Sequence, residues 1–367
     1  MCGIAGQIGP GGADALANIA HKMAGTLVHR GPDDTGAWVD SKPGVALGHQ
    51  RLSIIDLSAE GHQPMLSLCG RYVIVYNGEI YNFHEIKNEL LKTPATSPQP
   101  PSFRGQSDTE VLLEAISAWG IERTLARVNG MFAFALWDRF NNQLTLARDR
   151  FGKKPLYYGW VDGAFVFGSE LKALRAHPGF LNEIDRDSLT LYLRHNCIPA
   201  PYSIYRNIHK FPAGSYCTLR LRTIQESDCY EDIFDHIKRY WSAERVCSVG
   251  LANPLKDSSE AIAGQLDSLL RDAVAGRMIA DVPLGAFLSG GIDSSLVVAL
   301  MQAQSDRPVQ TFTVGFEEIT HNEADDARRI AGHLGTEHHE LYLSPQDVLD
   351  VVPILPDIYD EPFADSS

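Results

Sequence analysis

At 367 residues, 44% hydrophobic and 21% charged, the chain has the make-up of a globular protein, and its length favours two domains over one. A formal charge of −14 argues against a general nucleic-acid binder, because reading a phosphate backbone takes concentrated Lys and Arg, although a small anionic ligand needs only a local positive site. The apolar run Met131 to Trp137 is far short of the roughly 20 residues of a membrane span, and no basic and apolar leader precedes Cys2, so a cytoplasmic location and no membrane partner are expected.

Cys2 opens the chain. Initiator methionine is usually removed before a small residue, which would put a thiol and a free α-amine on one residue. An amine of pKa about 8 is a built-in general base for such a thiol. Taken alone, a cysteine here reads as a small apolar residue. Cys2, Cys69, Cys197, Cys217, Cys229 and Cys247 form no C-x-x-C pair, and the 13 histidines show no H-x-x-x-H spacing. Neither a disulfide scaffold nor a zinc site is expected, and His338-His339 read as surface.

Strand signals fill the first 220 residues: Val45 to Asp56, Tyr72 to Asn82, Met131 to Asp138, Gln143 to Asp149, PLYYGWV and AFVFGS. Helical spacing appears in Phe83 to Leu91 and in Asp108 to Gly120, the second closing on its glycine. Between them TPATSPQPPSFRGQ, with Pro94, Pro98, Pro100 and Pro101, predicts an exposed loop. Many strands flanked by a few helices indicate an α+β layered domain. Leu221 to Asp257 is polar, weakly patterned and reads as a connector. From Ser258 the pattern becomes helix (EAIAGQLDSLLRDAVAGRM), strand (VPLGAFLSGG), helix (SSLVVALMQAQ), strand (Gln310 to Phe316), helix (EADDARRIAGHLG) and strand (HHELYLS). Such alternation predicts a parallel, doubly wound sheet.

SGGIDSS, Ser289 to Ser295, lies where a strand ends and a helix begins, the place where open parallel sheets bind ligands. Gly290 and Gly291 allow close backbone approach, and the free N–H groups of a helix start attract an anion. Asp293 is a candidate Mg²⁺ ligand, while Ser289, Ser294 and Ser295 can donate to phosphate oxygens. The Walker A lysine is absent. The plain alternative is a serine-rich helix cap after a tight turn. SGGIDSS resembles the pyrophosphate-binding loop of the ATP pyrophosphatase family, whose members transfer AMP and release pyrophosphate. The resemblance implies backbone contacts to adenine from Leu288 and Val314.

The first half holds the parts that glutamine hydrolysis requires. Glutamine is a zwitterion at its α-carbon. Arg51 can grip the α-carboxylate as a fork, and Glu79 and Asp108 can take the α-ammonium. Attack on the side-chain amide builds an oxyanion, for which the Asn77 side chain and the Gly78 N–H are candidate donors. Each has a plainer reading. Asn77-Gly78 between apolar runs is in isolation better read as a hairpin turn. Asp108 is in isolation better read as an N-cap. Arg51 has a surface ion pair as its alternative.

In order, MCGIAG, HRGPDD (His29 to Asp34), HQRLSIID, YNGEIYN, SDTEVLL, GMFAFALWD and RDRFGKKPLYY resemble the class II glutamine amidotransferase domain with an N-terminal cysteine nucleophile. Joined to SGGIDSS and FTVGF, the whole chain resembles the glutamine-dependent asparagine synthetases. The resemblance implies Cys2 as nucleophile, Asn77 and Gly78 as oxyanion hole, and Arg51, Glu79 and Asp108 as glutamine binders. It implies an α+β N-terminal-nucleophile fold, a four-layer αββα domain at 2–220. A connector at 221–257 and an incomplete α/β parallel-sheet domain at 258–367 then follow. Family members run on for a couple of hundred residues, including a second, S-G-E-G-type phosphate loop. Three parallel strands alone should leave an uncovered edge and apolar face. The implied reactions are glutamine hydrolysis through a thioester and amidation of aspartate through β-aspartyl-AMP, with ammonia passing along an internal channel. ATP and Mg²⁺ are the implied cofactors. The expected partners are glutamine, aspartate and ATP, with a homodimer as the one protein partnership to test. Two alternatives stay open: a different carboxylate acceptor, in natural-product or polysaccharide assembly, and a non-enzymatic amidotransferase-like module.

Overall fold

The computed structural model describes residues 1–92, 102–226, 231–316 and 322–364. The proline-rich loop falls mostly on residues 93–101, outside the described residues. Two compact units form, Met1–Gly250 together with Tyr359–Ser367, and Leu251–Ile358.

The first unit is built on two antiparallel sheets. Its strands are β1 (Gly3–Ile8), β2 (Asp34–Asp40), β3 (Val45–Arg51), β4 (Met65–Leu66), β5 (Tyr72–Ile80), β6 (Gly130–Asp138), β7 (Gln143–Arg148), β8 (Tyr157–Val161), β9 (Ala164–Gly168), β10 (Ile208–Lys210), β11 (Ser215–Arg220) and β12 (Ile237–Arg239). One six-stranded sheet has the order β10-β8-β9-β1-β3-β2, the other β12-β11-β7-β6-β5-β4. Strand side chains alternate between faces. Ile4, Ile8, Val45 and Leu47 from the first sheet therefore meet Val73, Val75, Ala133, Ala135 and Trp137 from the second in one core. The other faces are also covered, which is why these strands read as nearly continuous apolar runs. Helix Ala13–Gly25 packs Leu16 and Ala20 on Ala46, and helix Asp108–Trp119 lies against β5. The layering is αββα.

Two departures concern local elements. The stretch read as a connector contributes helix Leu221–Glu226, strand β12 and helix Ala243–Ala252. Strand β12 extends the second sheet by pairing Ile237 with Cys217 and Arg239 with Ser215, while Ile224 and Ile233 enter the core. Elements this short carry too few apolar positions to show a period. The far end of the chain also packs on the first unit. The Asp360 carboxylate accepts the Lys172 N–H at 2.8 Å, Glu361 pairs with Lys210, and the Ala364 N–H donates to the Asn196 carbonyl at 2.8 Å.

In the second unit β13 (Gly285–Phe287), β14 (Gln310–Phe316) and β15 (Glu337–Leu343) form a parallel sheet in that order. Because the order advances in one direction, both right-handed crossovers fall on one face. Helices Ile292–Gln302 and Ala324–Leu334 accordingly share a cluster of Leu288, Val298, Ala327 and Ala331. Among the described residues both helices lie on this one face of the sheet. Its other face presents Phe287, Phe312, Val314 and Leu341. Of the histidine pair read as surface, only His339 is exposed. His338 turns inward, its Nδ1 2.9 Å from the Thr311 hydroxyl.

Candidate active site

Cys2 precedes β1 and lies beside the end of β3. The Leu52 N–H donates to its Sγ at 3.4 Å, and Sγ faces the Leu52 carbonyl at 3.7 Å. Arg30 Nε donates to the Cys2 carbonyl at 3.0 Å, so the Cys2 backbone is held from the short 3-10 helix Val28–Arg30. Burial pushes the Cys2 thiol above its ordinary range, opposed by the Leu52 N–H. The half-buried α-amine of Met1 is held below its ordinary value, again chiefly by burial.

One pocket is lined by Cys2, Arg51, Asn77, Gly78, Glu79 and Asp108. The structure thus brings together every residue of the first half that the sequence marked. Four of them sit differently from their plain readings. Asn77 and Gly78 are not a hairpin turn: they lie inside β5, paired with Ala133 and Phe132. The Asn77 side chain is fully buried, and neither its Nδ2 nor its Oδ1 has a hydrogen-bond partner. A Cβ on Gly78 would come within 2.7 Å of Phe132 Cβ, so the close approach of β6 requires glycine.

Asp108 is not the helix cap. Ser107 is, with its side chain accepting the Glu110 N–H at 3.2 Å. The Asp108 carboxylate is freed to reach β5, where Oδ2 accepts both the Tyr76 hydroxyl and the Ile80 N–H at 2.8 Å. Burial lifts its pKa above the usual carboxylate value, and these bonds work against the rise.

Arg51 is no surface ion pair. Its guanidinium donates to the Ser58 carbonyl at 3.0 Å and to the Asp56 carbonyl. The Asp56 carboxylate folds the same loop by accepting the Ser58 N–H at 3.0 Å and the Gln106 N–H at 2.7 Å.

Lys154 and Gln63 also line the pocket, and sequence reasoning assigned neither. Gln63 Oε1 accepts the Tyr76 N–H at 2.7 Å, tying the loop before β4 to β5. His49 on β3, facing the Tyr76 carbonyl at 3.0 Å, links the two sheets behind the pocket.

The SGGIDSS turn is self-organised. Ser289 Oγ lies 2.8 Å from Ser294 Oγ and accepts the Gly291 N–H at 3.2 Å, while Ser295 Oγ donates to the Gly291 carbonyl at 2.6 Å. Gly291 caps helix Ile292–Gln302 with no side-chain cap bond, so the serine-cap reading is not realised. Asp293 lies in the first turn of that helix, and Gly290 packs against Asp326. Leu288 is buried and donates its N–H to the Phe312 carbonyl at 2.9 Å, whereas Val314 lies on the uncovered face of β14. Among the described residues no group of three His, Cys, Asp or Glu side chains could hold a metal ion.

A family model described as a glutamine amidotransferase domain matches residues 1–231, and one described as asparagine synthase matches residues 265–367. A Methanocaldococcus jannaschii protein provisionally named asparagine synthetase [glutamine-hydrolyzing] 2 is 36% identical across 100% of this chain and 70% of its own length. The chain belongs to the glutamine-hydrolysing asparagine synthetase family. A Mycobacterium tuberculosis (strain H37Rv) relative with a similar provisional name is 37% identical, and the chain spans 55% of its length. Among solved structures, the glutamine phosphoribosylpyrophosphate amidotransferase of B. subtilis matches 95% of this chain and 92% of its own. Its identity is 15% and its TM-score 0.44. The αββα assignment stands on the sheet order and layering themselves. No helix among the described residues is long and apolar enough to cross a membrane.

Proposed function

We propose that this chain hydrolyses glutamine to glutamate and ammonia at Cys2, and that its second unit serves the ATP-dependent amidation of aspartate to asparagine. One observation carries the first part: a fully buried amide, Asn77, stands without a partner in the wall of the pocket that also holds Cys2. Burying such a group unpaired costs on the order of 1–3 kcal/mol, a cost recovered when an oxyanion forms against it.

In this reading the glutamine α-carboxylate meets Arg51 and the α-ammonium meets Glu79 and Asp108. The Cys2 thiolate adds to the side-chain amide carbon, and the oxyanion accepts from Asn77 Nδ2 and the Gly78 N–H. Collapse expels ammonia, which takes up the thiol's proton, and leaves a glutamyl thioester. Water then attacks the thioester carbon, restoring the thiol and releasing glutamate. The terminal α-amine acts as the proton shuttle once it belongs to Cys2.

In the second unit, pyrophosphate would rest on the Ser289, Gly290, Gly291, Ser294 and Ser295 turn, and adenine on the backbone at Leu288 and Val314. A lone carboxylate in a helix's first turn fits an ion carried by nucleotide phosphates, since Mg²⁺ is commonly held by one or two carboxylates plus phosphate oxygens. Asp293 would meet it, and the ion would neutralise charge on the leaving pyrophosphate. Ammonia would displace AMP from β-aspartyl-AMP. We place the protein in the cytoplasm and take a homodimer as the assembly to test by sedimentation. The test of function is to supply glutamine, aspartate and MgATP and to quantify glutamate, asparagine and pyrophosphate separately. Glutamate should form from glutamine alone and vanish with Cys2→Ala. Unchanged glutamate formation by Cys2→Ala would overturn the reading.

A further inference from the structure

The Cys2 pocket contains a cation with no part in the hydrolysis just described. Lys154 lies on the loop between β7 and β8, is 4% exposed, and lines the pocket with Cys2, Asn77 and Glu79. Its peptide is clamped on both sides. The Asp149 carboxylate accepts the N–H groups of Phe151, Lys153 and Lys154 at 3.0 Å, and that of Phe132 at 3.1 Å. The Arg148 guanidinium donates to the carbonyls of Lys154 at 2.7 Å, Gly152 at 2.8 Å and Phe211 at 2.6 Å. Two charged residues are thus spent on fixing the backbone from which one lysine enters the pocket.

Burying an ammonium is costly, and an apolar side chain of similar length would fill the space more cheaply. Lysine is retained where its charge is used. The other charged groups facing it are few. Glu79 arrives from β5, Asp108 from the helix behind it, and Arg51 from the end of β3 with its guanidinium on the Ser58 carbonyl. Arg30 is paired with Glu170 at 2.5 Å, the Asp149 carboxylate lies under the Lys154 peptide, and the terminal amine is also within reach. Burial lowers the Lys154 pKa, and the Glu79 carboxylate works against that fall. The same ammonium acts on the terminal amine in the direction of deprotonation.

We propose that Lys154 is a positioning residue for the nucleophile: its ammonium stabilises the Cys2 thiolate and disfavours a proton on the neighbouring α-amine. In the resting pocket the amine nitrogen takes the S–H proton and passes it to water, leaving a thiolate and a neutral amine; during turnover the same nitrogen returns a proton to the departing ammonia. This offsets the burial that otherwise favours the thiol. The proposal rests on Cys2 being the glutaminase nucleophile, yet it is tested without glutamine.

The experiment is the pH dependence of Cys2 alkylation by iodoacetamide, followed by mass spectrometry in the full chain. An opposite charge at close range moves a pKa by about one unit or more, so Lys154→Met should raise the alkylation midpoint by roughly one pH unit and slow alkylation near pH 7 about tenfold. Lys154→Arg, which keeps the charge, should restore the wild-type midpoint. Glu79→Gln, which removes the competing carboxylate, should move the midpoint the other way. A Lys154→Met midpoint equal to wild type overturns the proposal. So does an equal loss in Lys154→Met and Lys154→Arg, which marks a packing role. Should Lys154→Met fail to fold, an unmoved midpoint in Glu79→Gln overturns it alone. Glutamine hydrolysis surviving Cys2→Ala would overturn the functional reading while leaving the alkylation result to decide Lys154.

Discussion

Replacing Asp108 separates its structural work from its proposed binding work. Its Oδ2 accepts two buried donors, the Tyr76 hydroxyl and the Ile80 N–H, both at 2.8 Å. Asp108→Ala strands both, and each unsatisfied buried donor costs about 1–3 kcal/mol, giving a loss of roughly 2–6 kcal/mol. Set against a typical stability of about 5–15 kcal/mol, that is large. Asp108→Asn is different. Its amide oxygen can take the place of Oδ2 and accept both bonds, so stability should stay within about 1 kcal/mol of wild type. The negative charge is lost, however, and with it part of the attraction for the α-ammonium of glutamine. KM should rise on the order of tenfold, about 1.4 kcal/mol, with kcat little changed. Urea unfolding followed by tryptophan fluorescence, with glutaminase kinetics on the same preparations, reads both quantities. A wild-type urea midpoint for Asp108→Ala would show that the β5 bonds do not support the fold. A wild-type KM for Asp108→Asn would remove Asp108 from the substrate site.

Asn77→Ala should lower kcat by on the order of 10²- to 10³-fold with a smaller effect on KM, because the donor is needed only once the oxyanion forms; unchanged kcat in steady-state assays would refute the oxyanion role. His49 gives a pH prediction. Burial pushes its pKa down from 6.5 to about 4, and its unpartnered Nδ1 stays unprotonated in the fold. The unfolded chain takes up that proton at about pH 6.5, so the stabilisation is fully present above that pH and is lost as pH falls towards about 4. The loss is about 3 kcal/mol. The decline in thermal midpoint between neutral pH and pH 4.5 should be shallower in His49→Gln, and an unchanged slope would contradict the assignment.

The pocket was legible in the sequence because its residues sit in short, ordered motifs and the chemistry of glutamine specifies what they must be. Local signals alone misplace some of them. Asn77-Gly78 has the composition of a turn, but pairing with Ala133 and Phe132, more than 50 positions away, keeps it extended. Asp108 begins a helix, yet Ser107 one position earlier takes the cap and leaves the carboxylate for β5. Helix Ala13–Gly25 escaped notice because half of its buried face, Leu16, Ala20, Met23 and Ala24, is alanine. The placement of both helices on one face follows from strand order, which strand and helix alternation does not encode. Lys154 carried no local signal of its role, since that role depends on where the loop between β7 and β8 meets the pocket.

The central claim is that Cys2 attacks glutamine. The direct measurement is to mix the chain with glutamine, quench in acid within the first turnovers, and map the adduct by peptide mass spectrometry. The account predicts a glutamyl thioester on Cys2 in chains that begin at Cys2, with none in chains retaining Met1 and none in Cys2→Ala. Absence of the adduct, together with full glutamine hydrolysis by Cys2→Ala, would contradict it.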